Sequence, residues 1–460
     1  MMDESKISRL KPDLPGAGMS GSVSAQEDFG TAREGSVSAQ EDFGTAREGS
    51  GSAQEERLGL EKKLLSAGKA PDDTRLLRQL SAGINFITDF WQKHYLEEYI
   101  REGGSKIKFV TGRPGSGKTH LLNYMSMTAW EEGYVTAGFS ARDIWIHDFK
   151  EIYIEVLRQS DILNCLRSCS LQIIRNMGYV PEEIPEGLTF MDYLSQNDLG
   201  DAITRREIRL QLKTMFLENP LIDNNFALAC SLLTGGILGH PLLEDQNRQM
   251  LLSWMEGDKT LKLSSIRSLG LSPVRITKYN ARHMLRSLAE VIRMAGNSGV
   301  FITVDNLEIL LSRSSLDPVH YTKLKREDTY ESIRQLIDDI DSMKNIMFVF
   351  AFERELLDND SAGIKSYQAL WMRIQNEVVG EHFNRFADIV DLDRLAAEVY
   401  TPQILMEMSQ KLADAYTKLG DAANPISPEL CETLIRQAKT GNVSLPRLVN
   451  IATLGGEKDV

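Results

Sequence analysis

The run Gly112-Arg113-Pro114-Gly115-Ser116-Gly117-Lys118-Thr119 constrains this chain more than any other eight residues in it. It fits the pattern G-x-x-x-x-G-K-[ST]. It also stands in the required context, after the apolar run Ile107 to Thr111 and before the helical spacing of Leu121, Leu122 and Met125. Each position has a chemical reason. Glycines let the backbone curl until successive N–H groups converge on a β-phosphate. Lys118 offers a compact cation to the β and γ oxygens, and the Thr119 hydroxyl is a Mg²⁺ ligand. A helix opening at Lys118 points its positive end at the same place. Gly112, Pro114, Gly115, Ser116, Gly117, Lys118, Thr119 and His120 are therefore expected to line a nucleoside-triphosphate site.

Such a loop needs an acid at the end of a neighbouring strand to hold the metal through water. Val300 to Val304 followed by Asp305 fits. The next position, where a glutamate commonly polarises the attacking water, is Asn306; an amide orients water but accepts no proton. Glu308 is the nearest carboxylate that could serve as base. The catalytic candidates in this region are thus Lys118, Asp305 and Glu308, with Thr119 and Asp305 as the Mg²⁺ pair.

Other apolar runs extend the pattern. Tyr134 to Phe139, Ile346 to Phe350 and Ala387 to Leu392 join the two strands already named, with helical periodicity between them. Five strands separated by helices predict an α/β fold with a parallel sheet covered on both faces. Residues 149–177, 186–256 and 280–295 read as mostly helical, and Gly103-Gly104 stops a helix running through Phe86, Phe90 and Tyr99. Lys118 and Asp305 are 187 residues apart, which leaves room for a helical insertion at about 180–280. From Arg394 onward the pattern is helical only, a small lid. The expected division is a tail at 1–56, a core at 57–393 and a lid at 394–460. The length of 460 residues carries a soft prior of about three domains.

Residues 21–34 read GSVSAQEDFGTARE, residues 35–48 repeat those letters, and a partial copy follows at 49–55. Each copy offers one Val, one Phe and two Ala among Gly, Ser and acids, too little to offset the entropy of ordering it. A disordered duplicated tail is expected, with Phe29 and Phe43 as the alternative carriers of a partner-binding motif. No run of eighteen apolar residues occurs, and the N-terminus lacks a secretory pattern. Cys165, Cys169, Cys230 and Cys431 are too few and scattered for a disulfide framework or zinc site. A cytoplasmic protein with reduced thiols and no membrane partner is expected. The seven histidines, His147 and His240 among them, show no metal spacing.

With these elements in place, the chain resembles the AAA+ ATPases of the P-loop NTPase class, in the branch holding the origin-recognition and Cdc6-like proteins. GRPGSGKT (112–119) and VFITVDNLE (300–308) resemble Walker A and Walker B elements. Asn384-Arg385-Phe386-Ala387-Asp388-Ile389-Val390-Asp391-Leu392 is similar to the segment in which that family places its arginine finger. Gly441 to Leu448 is similar to its sensor-2 motif. Over roughly 250–380, ITKYNARHMLRSLAEVIRMAGNSGVFITVDNLEILL, DTYESIRQLIDDI and SYQALWMRI resemble the ATP-binding proteins of bacterial BREX-type phage-defence islands, the BrxC/BrxD-like group. The likeness spans about 75–455. It implies ATP, rather than GTP, as the nucleotide. It further implies an oligomer in which Arg385 acts in trans, Arg447 contacting ATP in cis, and a helicase or methyltransferase partner. Arg385 pairing with Asp388, and Arg447 as a solvated helix-end cation, are the alternatives. Departures are Asn306 in place of the usual Glu, and Ala351 to Glu353 without the Asn, Ser or Thr expected of a sensor-1 position.

The net charge is −13, yet residues 259–293 carry eight cations against the single acid Glu290. Arg275, Lys278, Arg282 and Arg286 would share a helix face if their helix starts early, and Arg205, Arg209 and Lys213 form a second row. These seven are candidates for contact with a nucleic-acid backbone, or else solvated faces paired with acids such as Asp338. Three functions follow: an ATP-driven DNA-associated motor or switch in a defence system, a weakly hydrolysing nucleotide-gated scaffold, or a helicase or transposition loader.

Overall fold

The computed structural model describes residues 51–314, 317, 319–378 and 384–455. The two full copies of the tandem repeat, with Phe29 and Phe43, lie outside the described residues. A helix spans Gly51–Ser66 and so begins inside the third, partial copy.

Five strands form one all-parallel sheet: β1 (Ser105–Gly112), β2 (Tyr134–Ser140), β3 (Gly299–Asp305), β4 (Ile346–Glu353) and β5 (Ile389–Asp391), in the order β2-β3-β4-β1-β5. All five expected strands are present. One relation differs from expectation: β4 lies between β1 and β3, so the strand ending in Asp305 is not an immediate neighbour of the one feeding the phosphate loop. The central position of β4 has a sequence cause. Ile346 to Phe352 is buried at every residue, the signature of a strand covered on both faces.

Alternate residues of β4 enter different layers. Phe348, Phe350 and Phe352 face a cluster with Ile107, Phe109, Ile302 and the helices Phe149–Gln159, Ile162–Asn176, Asn224–Leu238 and Ala281–Met294. Met347, Val349 and Ala351 face Val110, Phe301, Leu121, Leu122 and Trp91 on the other side. The helices between 180 and 280 bury Leu194, Ile208, Phe216, Phe226 and Trp254 in the first of these clusters, continuous with the sheet. The last helices, Pro402–Lys418, Pro428–Thr440 and Leu445–Leu454, close around a third cluster that includes Leu405, Cys431, Leu434 and Leu448. All four cysteines are buried free thiols, and burial pushes Cys165 and Cys169 up to about 12.

Candidate nucleotide site

The phosphate loop leaves the carboxyl end of β1 and turns into the helix Lys118–Glu131. Gly115 and Gly117 have φ of +75° and +94°, the left-handed region where a side chain is strained. Gly115 is needed for a second reason: a Cβ there would fall 2.7 Å from the Cβ of Arg447. At the first turn of the helix, Thr119 Oγ1 donates to Asp305 Oδ2 at 2.5 Å. Although β4 separates β1 from β3, the two strand ends still meet, because the helix start swings Thr119 across the top of β4. Lys118 Nζ donates to the carbonyls of Gly112 and Arg113, each at 3.1 Å, so its charge lies within the loop. The Ser116 hydroxyl is buried with no hydrogen-bond partner among the described residues.

These residues fit a magnesium nucleotide. Thr119 and Asp305 supply two oxygen ligands at one point, and Mg²⁺ characteristically takes few protein ligands, filling its shell with water and phosphate oxygens. No cluster of three or more His, Cys, Asp or Glu side chains suited to a metal occurs among the described residues.

Asn306 sits at φ +58°, ψ +36°, with its backbone N–H on Asp305 Oδ1 at 2.7 Å and its amide on Ser140 Oγ at 3.2 Å. Asn is among the few non-glycine residues that tolerate this conformation. Glu308 Oε2 accepts from the Glu353 N–H at 3.2 Å, and Oε1 lies 3.4 Å from the Arg142 guanidinium. Burial is the main cause that raises the Glu308 pKa above the usual carboxylate value. Glu353 therefore touches Glu308 through its backbone.

The loop is also fastened to the C-terminal helices. Arg113 N donates to Asp393 Oδ2 at 2.7 Å, and Arg113 Nε to Asp393 Oδ1 at 3.1 Å. The guanidinium then reaches the carbonyls of Ala438 and Gly441 at 3.0 and 2.6 Å. Ser444 Oγ donates to Pro114 O at 3.1 Å. Arg447 Nη1 donates to Asn450 Oδ1 at 2.8 Å and packs so closely on Gly68 that a Cβ there would lie 1.9 Å from it. Arg447 lines the same cavity as the loop.

That cavity, of about 1320 Å³, is lined by the polar side chains Lys118, Thr119, Asp305 and Arg142 and by the apolar Ala70, Pro71, Ile84, Met408 and Leu412. His120 lines it too, but its Nε2 is hydrogen-bonded to Ser81 Oγ at 2.8 Å. Ser81 Oγ already donates to Leu77 O, so Nε2 carries the proton. Burial pushes the His120 pKa down to about 4.

Arg385 is not brought to this site. It precedes the amino end of β5, the edge strand beside β1, with its guanidinium 4.8 to 5.7 Å from the ring centroids of Phe90, Phe86 and Phe386. Asp388 is bonded to Lys106 and Lys108. Arg373 pairs with Asp338.

The shared basic face at 275–286 does not form. The helix begins at Ala281, because Asn280 folds back onto Thr277 N and Arg275 O and holds the preceding segment as a turn. Arg275 donates to the carbonyls of Asp258, Lys259 and Leu261. Arg282 is packed over the Phe149 ring and against Ser332 O. Lys278 lies over Tyr279. The Arg282 and Arg286 Nε atoms are buried without partners among the described residues. The second row is on the surface: Arg205, Arg209 and Lys213 are all exposed, Arg209 near His240 and Lys213 paired with Glu218.

Sequence reasoning missed Arg142, Asp393 and the segment Leu64–Asp72. Arg142 and Asp393 had a usable signal, each standing two residues past the carboxyl end of a parallel strand, where α/β sheets bind their ligands.

A parallel sheet with a glycine-rich loop at the end of β1, a Lys118–Thr119–Asp305 constellation and helices on both faces defines the P-loop NTPase fold class. The chain belongs to the family described as BREX system ATP-binding protein BrxC/D, whose model matches residues 65–445. No curated protein and no solved structure matches it significantly. Its nucleotide is accordingly ATP, and its setting is the BREX phage-defence system. Among the described residues, no helix is long and apolar enough to cross a membrane.

Proposed function

We propose that the protein hydrolyses ATP with magnesium and uses the nucleotide state to reposition its C-terminal helices within a DNA-associated defence assembly. The observation that carries this reading is the 2.5 Å contact of Thr119 with Asp305 in a cavity that the C-terminal helices help to wall. Bound there, magnesium would neutralise charge on the β and γ oxygens. Lys118 releases the two loop carbonyls and turns to those oxygens. The loop N–H groups and the helix N-terminus bind the remaining negative charge. Glu308, desolvated and held by the Glu353 N–H, orients water and accepts its proton. Arg113, Ser444 and Arg447 join the loop to the last two helices, so phosphate contacts that shift the loop also shift those helices. Arg385, remote from its own cavity, would complete the site of a second copy. The DNA contact would fall to the exposed cations Lys259, Lys262, Arg267 and Lys278, the last of them over the exposed Tyr279.

One feature favours the scaffold reading instead. The Asn306 amide is engaged by Ser140, and both Glu308 oxygens already have neighbours, an arrangement suited to slow turnover. Steady-state ATP hydrolysis, with and without duplex DNA and with Lys118→Ala as blank, decides between them. Turnover that rises with DNA and vanishes in Asp305→Ala supports the switch. Tight ATP binding with no turnover in either condition supports the scaffold.

A further inference from the structure

The helix Ala202–Leu212 and the wider-wound turn Lys213–Leu217 that continues it present two unlike sides. Ile208, Leu212 and Phe216, spaced by four, are buried in the core beside the sheet. Ile203, Leu210 and Leu217, spaced by seven, are 77%, 50% and 43% exposed. Leucine and isoleucine on a surface are ordinary when single; Ile203 and Leu210, seven apart, share one line of the α-helix, and Leu217 extends the apolar surface past the wider-wound turn.

Two neighbours widen this strip. Thr204 Oγ1 is bonded to Leu199 O, which brings the 47% exposed Leu199 beside the first turn. Arg209 is bonded to His240, two residues before Leu242, which is 88% exposed. Cations predominate along the strip, although Lys213 is paired with Glu218. Arg206, Arg209 and Lys213 follow it at spacings of three and four, and Arg205 adds a fourth cation. Arg205 and Arg206 have no ion-pair partner among the described residues. The acids within the segment are committed locally: Asp201 caps the helix at Thr204 N, and Glu207 accepts from Gln211. In a chain of net charge −13, a cationic flank beside an apolar seam is a local exception.

We infer that this face is the docking surface for an acidic amphipathic helix of a partner protein, one whose apolar residues repeat every seven and whose flanks carry Glu or Asp. The exposed Ile203, Leu210 and Leu217 would take the apolar stripe, and Arg206, Arg209 and Lys213 would meet its acids. Charge complementarity sets the partner's sign and the orientation of the helix in the seam. A nucleic-acid backbone would use the cations but would leave the five exposed aliphatic side chains largely uncovered, whereas an amphipathic helix covers both. This inference does not depend on nucleotide turnover.

The test uses the full chain and two synthetic helical peptides, with leucine at heptad position a and alanine at d. One carries glutamate at e and g, the other lysine, and each is labelled for fluorescence anisotropy. The acidic peptide is expected to bind at least ~10-fold more tightly than the basic one, with Kd on the order of micromolar to tens of micromolar. Ile203→Glu with Leu210→Glu should abolish that binding. Arg206→Glu with Lys213→Glu should reverse the preference, so that the basic peptide binds better. Circular dichroism melts of these surface variants should match the parent. Equal binding of the two peptides, or none, overturns the inference. Displacement of the acidic peptide by duplex DNA at comparable concentration also overturns it, as does equal binding by a peptide of residues 21–48.

Discussion

Replacing Asn306 separates backbone strain from chemistry at the strand end that carries Asp305. Its φ of +58° and ψ of +36° lie in the left-handed region, which costs most L-residues about 1–2 kcal/mol and Asn less. Its amide bond to Ser140, half-buried at 3.2 Å, is worth about 0.5–1.5 kcal/mol. Asn306→Ala loses both and should destabilise by about 1.5–3 kcal/mol. Asn306→Gly loses the amide bond and gains chain entropy but escapes the strain, so it should be milder by about 1 kcal/mol. Ser140→Ala removes the hydrogen bond alone. Asn306→Glu resembles Ala in strain, whereas Asn306→Asp retains the tolerance for positive φ and offers a carboxylate. Urea titration of the nucleotide-free chain, followed by tryptophan fluorescence, gives the order Asn > Gly > Ala ≈ Glu in midpoint. If Ala proves as stable as Gly, the left-handed backbone is not what selects Asn here and the reasoning fails. Turnover of Asn306→Asp then reports the chemistry free of the strain. A rise over the parent marks the amide as the brake on hydrolysis, and an unchanged rate leaves Glu308 as the group that matters.

Three further outcomes follow from the same geometry. Lys118→Ala should raise the Kd for a fluorescent ATP analogue by well over ~10-fold, since it removes the cation the loop holds for the phosphates; near-parental binding contradicts the site. Arg113→Ala keeps the backbone N–H on Asp393 Oδ2 but removes the guanidinium from Asp393 Oδ1, on a side chain only 10% exposed, and from the Ala438 and Gly441 carbonyls. It should cost about 2 kcal/mol and speed hydrogen exchange across 438–445, and unchanged protection there would disconnect the loop from those helices. His120 has its pKa lowered from 6.5 to about 4, so between these values the unfolded chain binds the extra proton. Its stabilising contribution is complete above 6.5 and lost as pH falls toward 4. His120→Gln, which keeps a partner for Ser81, should flatten that part of the stability–pH curve, and an unaltered slope would refute it.

The readable parts of this chain are those whose cause is local. An apolar run bounded by turns becomes a strand because its residues have nowhere else to bury, and all five were visible this way. The phosphate loop was visible because its backbone demands glycine at set positions. What escaped depended on contacts between distant residues. That β4 would separate β1 from β3 is a matter of strand pairing, to which the spacing of apolar residues is blind. The row Arg275, Lys278, Arg282 and Arg286 looked like one face by periodicity, but Asn280 stops the helix before it includes the first two. Arg282 is then taken up by Phe149, more than a hundred residues away. Arg113 was a variable letter in a motif, and only the packing of Asp393 and the Gly441 carbonyl against it gave it a role.

The amino-acid sequence by itself determined that a triphosphate loop exists, that it opens a helix after a buried strand, and that Asp305 ends another. Short-range sterics and hydrophobic burial are enough for that. Tertiary structure alone decided that Thr119 meets Asp305 across the end of β4, that Arg447 lies on Gly68, and that Arg385 packs on Phe86 and Phe90. Each of these depends on how the sheet is ordered and how helices far apart in the chain close over it. The free energy that sets that order is spread over the whole core and is not written at any one position.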